Sequence, residues 1–490
     1  MRQKRALTAP GTSHSGGRTR VSQLPVQGPP GDRPSPRDRY RPTPWSSQRF
    51  YRPYIKSALA VAMTLGFTTG AVMLFLPALG RSIGSTWVAH LQAHGFAQIF
   101  GWAGLFLMGM AFHVVPRFRN GPLTFPWPQR IALTLLLLSI ALRFFGQTLP
   151  SLNFNGVLLA ASGVCVAAGA GIFAVTIGLV LRRGTAAHSP SETWLWMSLF
   201  WLIVAVGLDV LVVVQMAMDG REIASARPDS AFVHAGVVGF IVNFVIGISL
   251  RSVSAFLGLR PARLNVNRLG LVAVNAGVAV TTITLLFGLA NEVLLVGALL
   301  ELGGFAGFVY ALRLFDGRDA PRVYTLRAYG RYEWYLRTAY GWLLVGGVFQ
   351  ARNAIGAVWP DIGLPANLAA PALHVLSLGF VTMIIMGMAS RMIPLFEGAV
   401  LPWHWLMDTV FASLNASVVL RIVFGVISTD AAWVGLAVSG TLGTFAMASF
   451  AVIIWRTLQP SSRRQYVEMA QSFGVQRADQ VRQERDEDGA

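Results

Sequence analysis

The stretch LHVLSLGFVTMIIMGMASRMIPLF, residues 373–396, decides the fold class of this chain. It places His374 at the start of a long apolar run and Arg391 seventeen residues later. An α-helix rises 1.5 Å per residue, so about 20 apolar residues cross the roughly 30 Å of hydrocarbon in a bilayer. The stretch therefore predicts a transmembrane helix with an ionisable side chain near each end.

Two earlier stretches repeat this pattern. The one from Val233 precedes it by 140 positions and shares four residues with it: His234, Gly239, Gly247 and Arg251 correspond to His374, Gly379, Gly387 and Arg391. The one from Ala93 precedes it by 278 positions and shares Gly101, residues 108–111, Pro116 and Phe118 with their counterparts. Two self-consistent offsets predict a threefold internal repeat.

The composition indicates a polytopic membrane protein in a lipid bilayer. Of the 490 residues 54% are hydrophobic and 13% are charged, against roughly 25% charged in soluble domains. The net charge of +18 comes from basic residues in the N-terminal tail and in alternate loops, so it does not predict a nucleic-acid partner. The single cysteine, Cys165, excludes an intrachain disulfide, a thiolate zinc site and covalent haem attachment through paired thiols.

The chain divides into two tails and a membrane domain. Residues 1–56 are rich in Pro, Gly, Ser and Arg and predict a disordered basic tail, and residues 459–490 form a charged tail. The membrane domain, residues 57–458, is predicted to contain twelve transmembrane helices in three repeated four-helix units, at about 57–182, 194–314 and 333–455. The predicted helices lie near 57–79, 90–116, 129–149, 155–182, 194–218, 230–257, 267–287, 291–314, 333–353, 370–396, 404–427 and 432–455.

Arginines in the loops predict the orientation. Both tails and the loops after the second, fourth, sixth and eighth helices carry most of the Arg residues. Short loops with an excess of Lys and Arg stay in the cytoplasm. We therefore expect a multi-pass protein of the bacterial inner membrane with both termini in the cytoplasm.

Three histidines are candidate ligands. His94, His234 and His374 lie near the outer ends of the second, sixth and tenth helices, and a repeat related by rotation would turn those ends towards a shared interior. Neutral imidazole commonly binds metals and haem iron; the alternative is a histidine that caps its helix or hydrogen bonds at the interface. His90 precedes His94 by four residues and would share its helix face.

Two arginines and two acids lie within the predicted spans. Arg143 and Arg421 lie towards the outer ends of the third and eleventh helices, at a depth similar to the histidines. A guanidinium there either binds a carboxylate, such as a haem propionate, or extends to the lipid headgroups. Asp209 and Glu301 are carboxyls that would relay protons or pair with an arginine.

At this point the chain resembles the NnrS family, membrane proteins associated with the response to nitric oxide. The resemblance lies in residues 373–391, with a histidine, a glycine at the fifth place after it and an arginine at the seventeenth, and in AHGFAQIFGW with the turn Gly121-Pro122-Leu123. The second of these is also similar to subunit I-like proteins of the haem–copper oxidase superfamily, whose twelve helices form three units of four. The resemblance implies a haem b with His94 and His374 as axial ligands.

The chain departs from these families at several positions. Phe96 stands where a second histidine is expected, and MIPLFEGA replaces the glycine-histidine-threonine-glycine run that follows the arginine in the NnrS family. The tenth helix has one histidine and the seventh has none, so the ligand set of an oxidase cannot be filled. Respiratory oxygen reduction is therefore not expected, and copper stays a candidate metal only at the predicted metal ligands, His90, His94, His234 and His374.

These observations support three hypotheses. The first is an NnrS-like haem protein related to redox chemistry or the nitric oxide response, with haem near the periplasmic side, propionates held by Arg143 and Arg421, and a redox partner protein. The second is a proton-coupled transporter that uses Asp209 and Glu301, although a threefold repeat fits transporters poorly. The third is a non-catalytic sensor or assembly protein with a degenerate haem site.

Overall fold

Twelve long helices make up the described part of the chain in this computed structural model. It describes residues 49–81, 84–123, 125, 127–149, 154–316, 329–362, 369–427, 429–460 and 462, and no strand occurs among them. The helices are α1 Tyr51–Ala78, α2 Trp87–Arg119, α3 Trp127–Thr148, α4 Asn155–Arg183, α5 Pro190–Asp219, α6 Ala226–Leu257, α7 Leu264–Phe287, α8 Asn291–Leu312, α9 Tyr332–Val358, α10 Ala369–Glu397, α11 His404–Gly425 and α12 Asp430–Thr457.

The all-helical membrane fold is confirmed. Eleven of these helices, in the described residues, are long and apolar enough to cross a membrane. The helix that does not reach that level is α9, whose sequence is rich in Tyr and Gly and includes Arg337 and Arg352. Most helix ends agree with the predicted ones to within a few residues, because long apolar runs determine them.

Helix α1 begins at Tyr51, earlier than the predicted start near Ser57. The Tyr51 hydroxyl donates a hydrogen bond of 2.6 Å to Glu397 at the end of α10, and the Tyr54 hydroxyl donates one of 2.7 Å to the carbonyl of Gln129. These side chains stabilise a first turn that hydropathy alone does not predict. Residues 1–48 of the predicted N-terminal tail and residues 463–490 of the C-terminal tail lie outside the described residues.

Helices α2, α6 and α10 form the interior of the molecule. In their most apolar segments 100%, 89% and 78% of the residues are buried, against at most 56% in the other candidate spans. The nine outer helices expose apolar side chains where lipid would surround them. The three helices that carry the repeated histidines therefore meet at the centre.

Each of these inner helices contains an eight-residue π-helical segment. The segments are Ala97–Gly104, Ala235–Val242 and Val375–Thr382. A π-helical segment inserts an extra residue per turn and occurs frequently at functional sites. The segments begin three residues after His94 and directly after His234 and His374, so each histidine stands where its helix changes geometry.

Glycines on the inner helices allow close contact with the outer ones. A Cβ atom on Gly239 would lie 2.7 Å from the Trp201 side chain, and one on Gly379 would lie 2.9 Å from that of Trp342. A Cβ atom on Gly101 would likewise overlap the side chain of Val61. Small residues at such positions let membrane helices approach each other closely.

Candidate functional site

A cavity of about 820 Å³ lies between the N-terminal halves of α2, α6 and α10. Parts of α1, α7, α8, α9, α11 and α12 complete its wall, which is mostly apolar. His94, His234 and His374 all line this cavity. The structure thus brings the three histidines to one interior space, of a size typical for small-molecule and cofactor sites.

His94 and His374 share one hydrogen-bond arrangement. Nδ1 of His94 lies 3.3 Å from the carbonyl oxygen of Leu65, and Nδ1 of His374 lies 2.8 Å from that of Ala370. An imidazole that donates its Nδ1–H to a carbonyl carries its lone pair on Nε2, as metal-ligating histidines usually do. Both imidazoles therefore have the lone pair on Nε2 that a metal or haem iron binds.

Gly70 of α1 keeps space beside the His94 imidazole. A Cβ atom on Gly70 would lie 3.0 Å from Cε1 and 3.4 Å from Nε2 of His94. Gly70 lines the same cavity. A larger side chain at this position would therefore press on the ring edge that a ligand of Nε2 needs.

Arg421 of α11 supplies positive charge to the cavity. It lines the wall, and its Nε atom is buried with no hydrogen-bond partner among the described residues. It is close enough to both His94 and His374 to interact with them electrostatically. Within the described part of the chain no carboxylate forms an ion pair with Arg421, so the cavity offers a site for an anionic group.

His234 differs from the other two histidines. Its Nε2 atom lies 2.9 Å from Oε1 of Glu301, and the Thr281 hydroxyl donates a hydrogen bond of 2.9 Å to the same oxygen. The carboxyl that we expected to relay protons or pair with an arginine is therefore paired with a histidine. Because Glu301 engages Nε2, the structure does not present His234 as a third ligand of the same kind.

His90 does not join the cavity. Its Nδ1 atom lies 2.9 Å from the carbonyl oxygen of Thr86, and its ring lies against Phe144. Among the described residues, no three His, Cys, Asp or Glu side chains form a group that could hold a metal ion. The predicted metal ligands His90, His94, His234 and His374 are thus not assembled into one site.

Arg143 has a different environment from Arg421. Its guanidinium lies 3.5 Å from Asp209 in α5, donates a hydrogen bond of 2.7 Å to Gln147 and lies over the Phe96 ring. Both members of the ion pair are fully buried, and Arg143 is not among the residues that line the cavity. The expectation that Asp209 pairs with an arginine agrees with this geometry, whereas the expected propionate contact of Arg143 does not.

Several polar contacts were not predicted. Gln147 lies four residues after Arg143 on the same helix face, a spacing that does indicate contact. Gln92 of α2 accepts a hydrogen bond of 2.8 Å from the amide of Ala224 and so holds the loop between α5 and α6. Gly70 and Gln350 also line the cavity, but no sequence pattern connects either of them to the histidines.

Comparison with known proteins gives one family. The sequence model of the family described as NnrS protein matches residues 50–461, which include all twelve helices. No curated protein matches the chain.

Proposed function

The chain belongs to the NnrS family, and from this premise we propose that it is a haem-binding integral membrane protein with a role in redox chemistry or the nitric oxide response. The cavity holds a b-type haem through His94 and His374. The haem is of the b type because a single cysteine cannot provide the paired thiols of covalent attachment.

The observation that carries this proposal is the shared geometry of His94 and His374. Both imidazoles line one large cavity, and both bind a main-chain carbonyl through Nδ1. Iron in b-type haems takes axial imidazole nitrogens of this kind. The donor set, the space beside Gly70 and the buried Nε of Arg421 all fit a haem, since its propionates are anionic.

A bound haem would supply one-electron chemistry, and the chain's residues would control it. His94 and His374 would hold the iron, Arg421 would neutralise a propionate, and the apolar wall would keep water from the site. Arg143 does not serve as a second clamp, because Asp209 compensates its charge. A redox partner protein would supply or accept the electrons.

We also propose that the helices form three four-helix units, arranged as in haem–copper oxidase subunit I. The three π-helical segments support this, because their first residues are separated by the offsets of the sequence repeat. Matching tryptophan contacts support it too. Trp201 donates to Asn275 at 2.8 Å, and Trp342 donates to Asn415, 140 positions after Asn275, at 2.9 Å.

The repeat gives a reason why Arg421 has no acid partner among the described residues of the cavity wall. Position 281, which corresponds to Arg143 and Arg421, is a threonine. Asp209 corresponds to Gln350 when α5 and α9 are aligned on Trp201 and Trp342, which lie 141 positions apart. One interface between units is closed by the Arg143–Asp209 pair. Among the described residues, no such pair joins the corresponding positions of the other units, and Thr281, Gln350 and Arg421 all line the cavity.

The arginine-rich loops support an orientation with both termini in the cytoplasm of a bacterium. In this orientation the N-terminal ends of α2, α6 and α10 face the periplasm. The haem then lies near the periplasmic side of the inner membrane.

An optical spectrum of the purified protein tests the proposed function. We expect a Soret band when haem is available, and a weaker band in His374→Ala. His90→Ala is the matched control, because His90 has the same Nδ1 contact with a main-chain carbonyl but lies outside the cavity. Protein that stays colourless with haem supplied would refute the proposal.

The buried carboxyl of Asp209 favours a second candidate, a proton-coupled transporter. Both Oδ atoms of Asp209 are buried and make no hydrogen bond among the described residues. Uptake into vesicles that depends on a pH gradient and disappears in Asp209→Asn would support the transporter. A haem spectrum without measurable redox turnover or uptake would support the non-catalytic sensor instead.

A further inference from the structure

A second polar group in the cavity wall is Glu301, which is not one of the proposed haem ligands. The Glu301 side chain is fully buried, and its Oε1 atom receives the contacts of His234 and Thr281. Its other oxygen, Oε2, is buried with no hydrogen-bond partner among the described residues. A buried acceptor without a partner is costly, by about 1–3 kcal/mol and more when it is charged.

Gln350 of α9 offers a second acceptor to the same cavity. Its Oε1 atom is also buried and lacks a hydrogen-bond partner within the described part of the chain. Glu301 and Gln350 come from different helices, and both line the cavity. Buried polar atoms in proteins are almost always hydrogen bonded, so two unpartnered acceptors in one cavity wall point to a ligand that donates.

The wall around these acceptors indicates what kind of ligand fits. Leu285, Leu294 and Ala298, on the helices that carry Thr281 and Glu301, line the same cavity, and such a wall favours a ligand with an apolar body. The described residues also contain no group of side chains suited to a metal ion. The occupant is therefore neutral, with an apolar body and a hydroxyl group.

We propose that Glu301 and Gln350 form a binding site for a neutral, lipid-soluble phenol-type compound. Its hydroxyl group donates to Glu301 Oε2 or Gln350 Oε1, and its apolar body packs in the cavity. A phenolic hydroxyl donates more strongly to a carboxylate than an aliphatic alcohol does. Glu301 and Gln350 line the same cavity as Arg421 and the proposed haem ligands, but the site itself uses none of those residues.

The test is a calorimetric titration of the purified full-length protein with two probes. The probes are para-butylphenol and para-butylanisole. The anisole carries a methyl group on the oxygen and therefore has no hydroxyl group to donate. We expect saturable binding of the phenol and at least about tenfold weaker binding of the anisole, the effect of one hydrogen bond to a charged acceptor. Equal affinities, or no saturable binding of the phenol, would overturn the proposal.

Two single variants test which residues bind the phenol. Glu301→Gln replaces the free acceptor by an amide donor, and Gln350→Met removes the second acceptor with little change of volume. The variant that removes the acceptor of the hydroxyl group is expected to weaken phenol binding about tenfold or more. Both variants are expected to leave anisole binding unchanged. Glu292→Gln is the matched control, because Glu292 is an exposed carboxylate on the same helix.

The outcomes can be separated. If Glu301→Gln does not fold, the comparison of phenol with anisole on the wild-type protein carries the test. Phenol affinity that is unchanged in Gln350→Met and in folded Glu301→Gln would show that bound water alone satisfies these acceptors, and would overturn the proposal. A haem spectrum of each sample shows separately whether the proposed function has failed.

Discussion

Arg143 and Arg421 show how a single neighbouring residue determines the role of a buried charge. The two arginines lie 278 positions apart, at corresponding places of α3 and α11. Asp209 lies 3.5 Å from Arg143, whereas no described carboxylate pairs with Arg421. One arginine is therefore compensated within the protein, and the other is available to an anionic ligand.

The Arg143–Asp209 pair gives a prediction about stability. Removal of one partner from a buried ion pair typically costs about 3–5 kcal/mol, because the remaining charge has no compensation. We expect Asp209→Leu to lower the unfolding temperature strongly in detergent. The double variant Asp209→Leu/Arg143→Met should recover most of the loss, since no charge remains. A single variant as stable as the wild type would contradict the pairing.

For Arg421 we expect no loss of stability on removal of the charge, in contrast to Asp209. Arg421→Met removes a partly buried charge that has no acid partner among the described residues, so the folded protein should keep its stability or gain some. If Arg421 holds a haem propionate, haem affinity should fall about tenfold or more, as for the loss of a charge-assisted hydrogen bond. The measurement is haem titration followed by absorbance, with His90→Ala as the control. Undiminished haem affinity in Arg421→Met would contradict this role.

At the scale of the elements, the inner helices combine glycine-mediated packing with π-helical geometry. Their glycines allow close packing against α1, α5 and α9, while their π-helical segments interrupt regular geometry near the histidines. Gly101, Gly239 and Gly379 lie inside these π-helical segments. Close packing against the outer helices therefore holds the irregular segments themselves in place beside the cavity.

The contact of Gly101 with Val61 provides a test of this packing. A Cβ atom at position 101 would overlap Cγ1 of Val61, and overpacking of a core typically costs about 1–3 kcal/mol. We expect Gly101→Ala to lower the unfolding temperature, and Gly101→Ala/Val61→Ala to restore part of it. Gly303→Ala is the control, because a Cβ atom there would meet nothing within 4 Å. Equal stability of the Gly101 and Gly303 variants would argue against close packing.

At the scale of the whole molecule, the charges of the loops predict the orientation in the membrane. The proposed twelve spans would place both termini on one side, and the arginine-rich loops predict that this side is the cytoplasm. The loop between α4 and α5 would then face the cytoplasm, and the loop between α5 and α6 the periplasm.

Cysteine labelling checks this orientation. In a Cys165→Ser background, Arg221→Cys should react with a membrane-impermeant maleimide added to intact cells. Ala187→Cys should react only after the membrane is opened. Both positions are exposed in the structure. The reverse labelling pattern would place the cavity on the cytoplasmic side.

The fold was largely predictable because its determinants are local. A long apolar run in a bilayer must form a helix, since no water is available to hydrogen bond with the main chain. The predicted ends of α4 and α10 therefore agree closely with the structure. The start of α1 was missed because it depends on the contact of Tyr51 with Glu397, nearly 350 residues away in the chain.

The candidate site was predictable only in part. The repeated histidines could be found from their spacing, and the sequence by itself determined that α2, α6 and α10 carry them and that the chain is an all-helical membrane protein. Only the tertiary structure decided which side chains they meet: Glu301 for His234, and the wall with Gly70 and Arg421 for His94 and His374. The physical reason is that apolar length acts within one helix, whereas the partner of a buried polar group depends on which helices lie beside it.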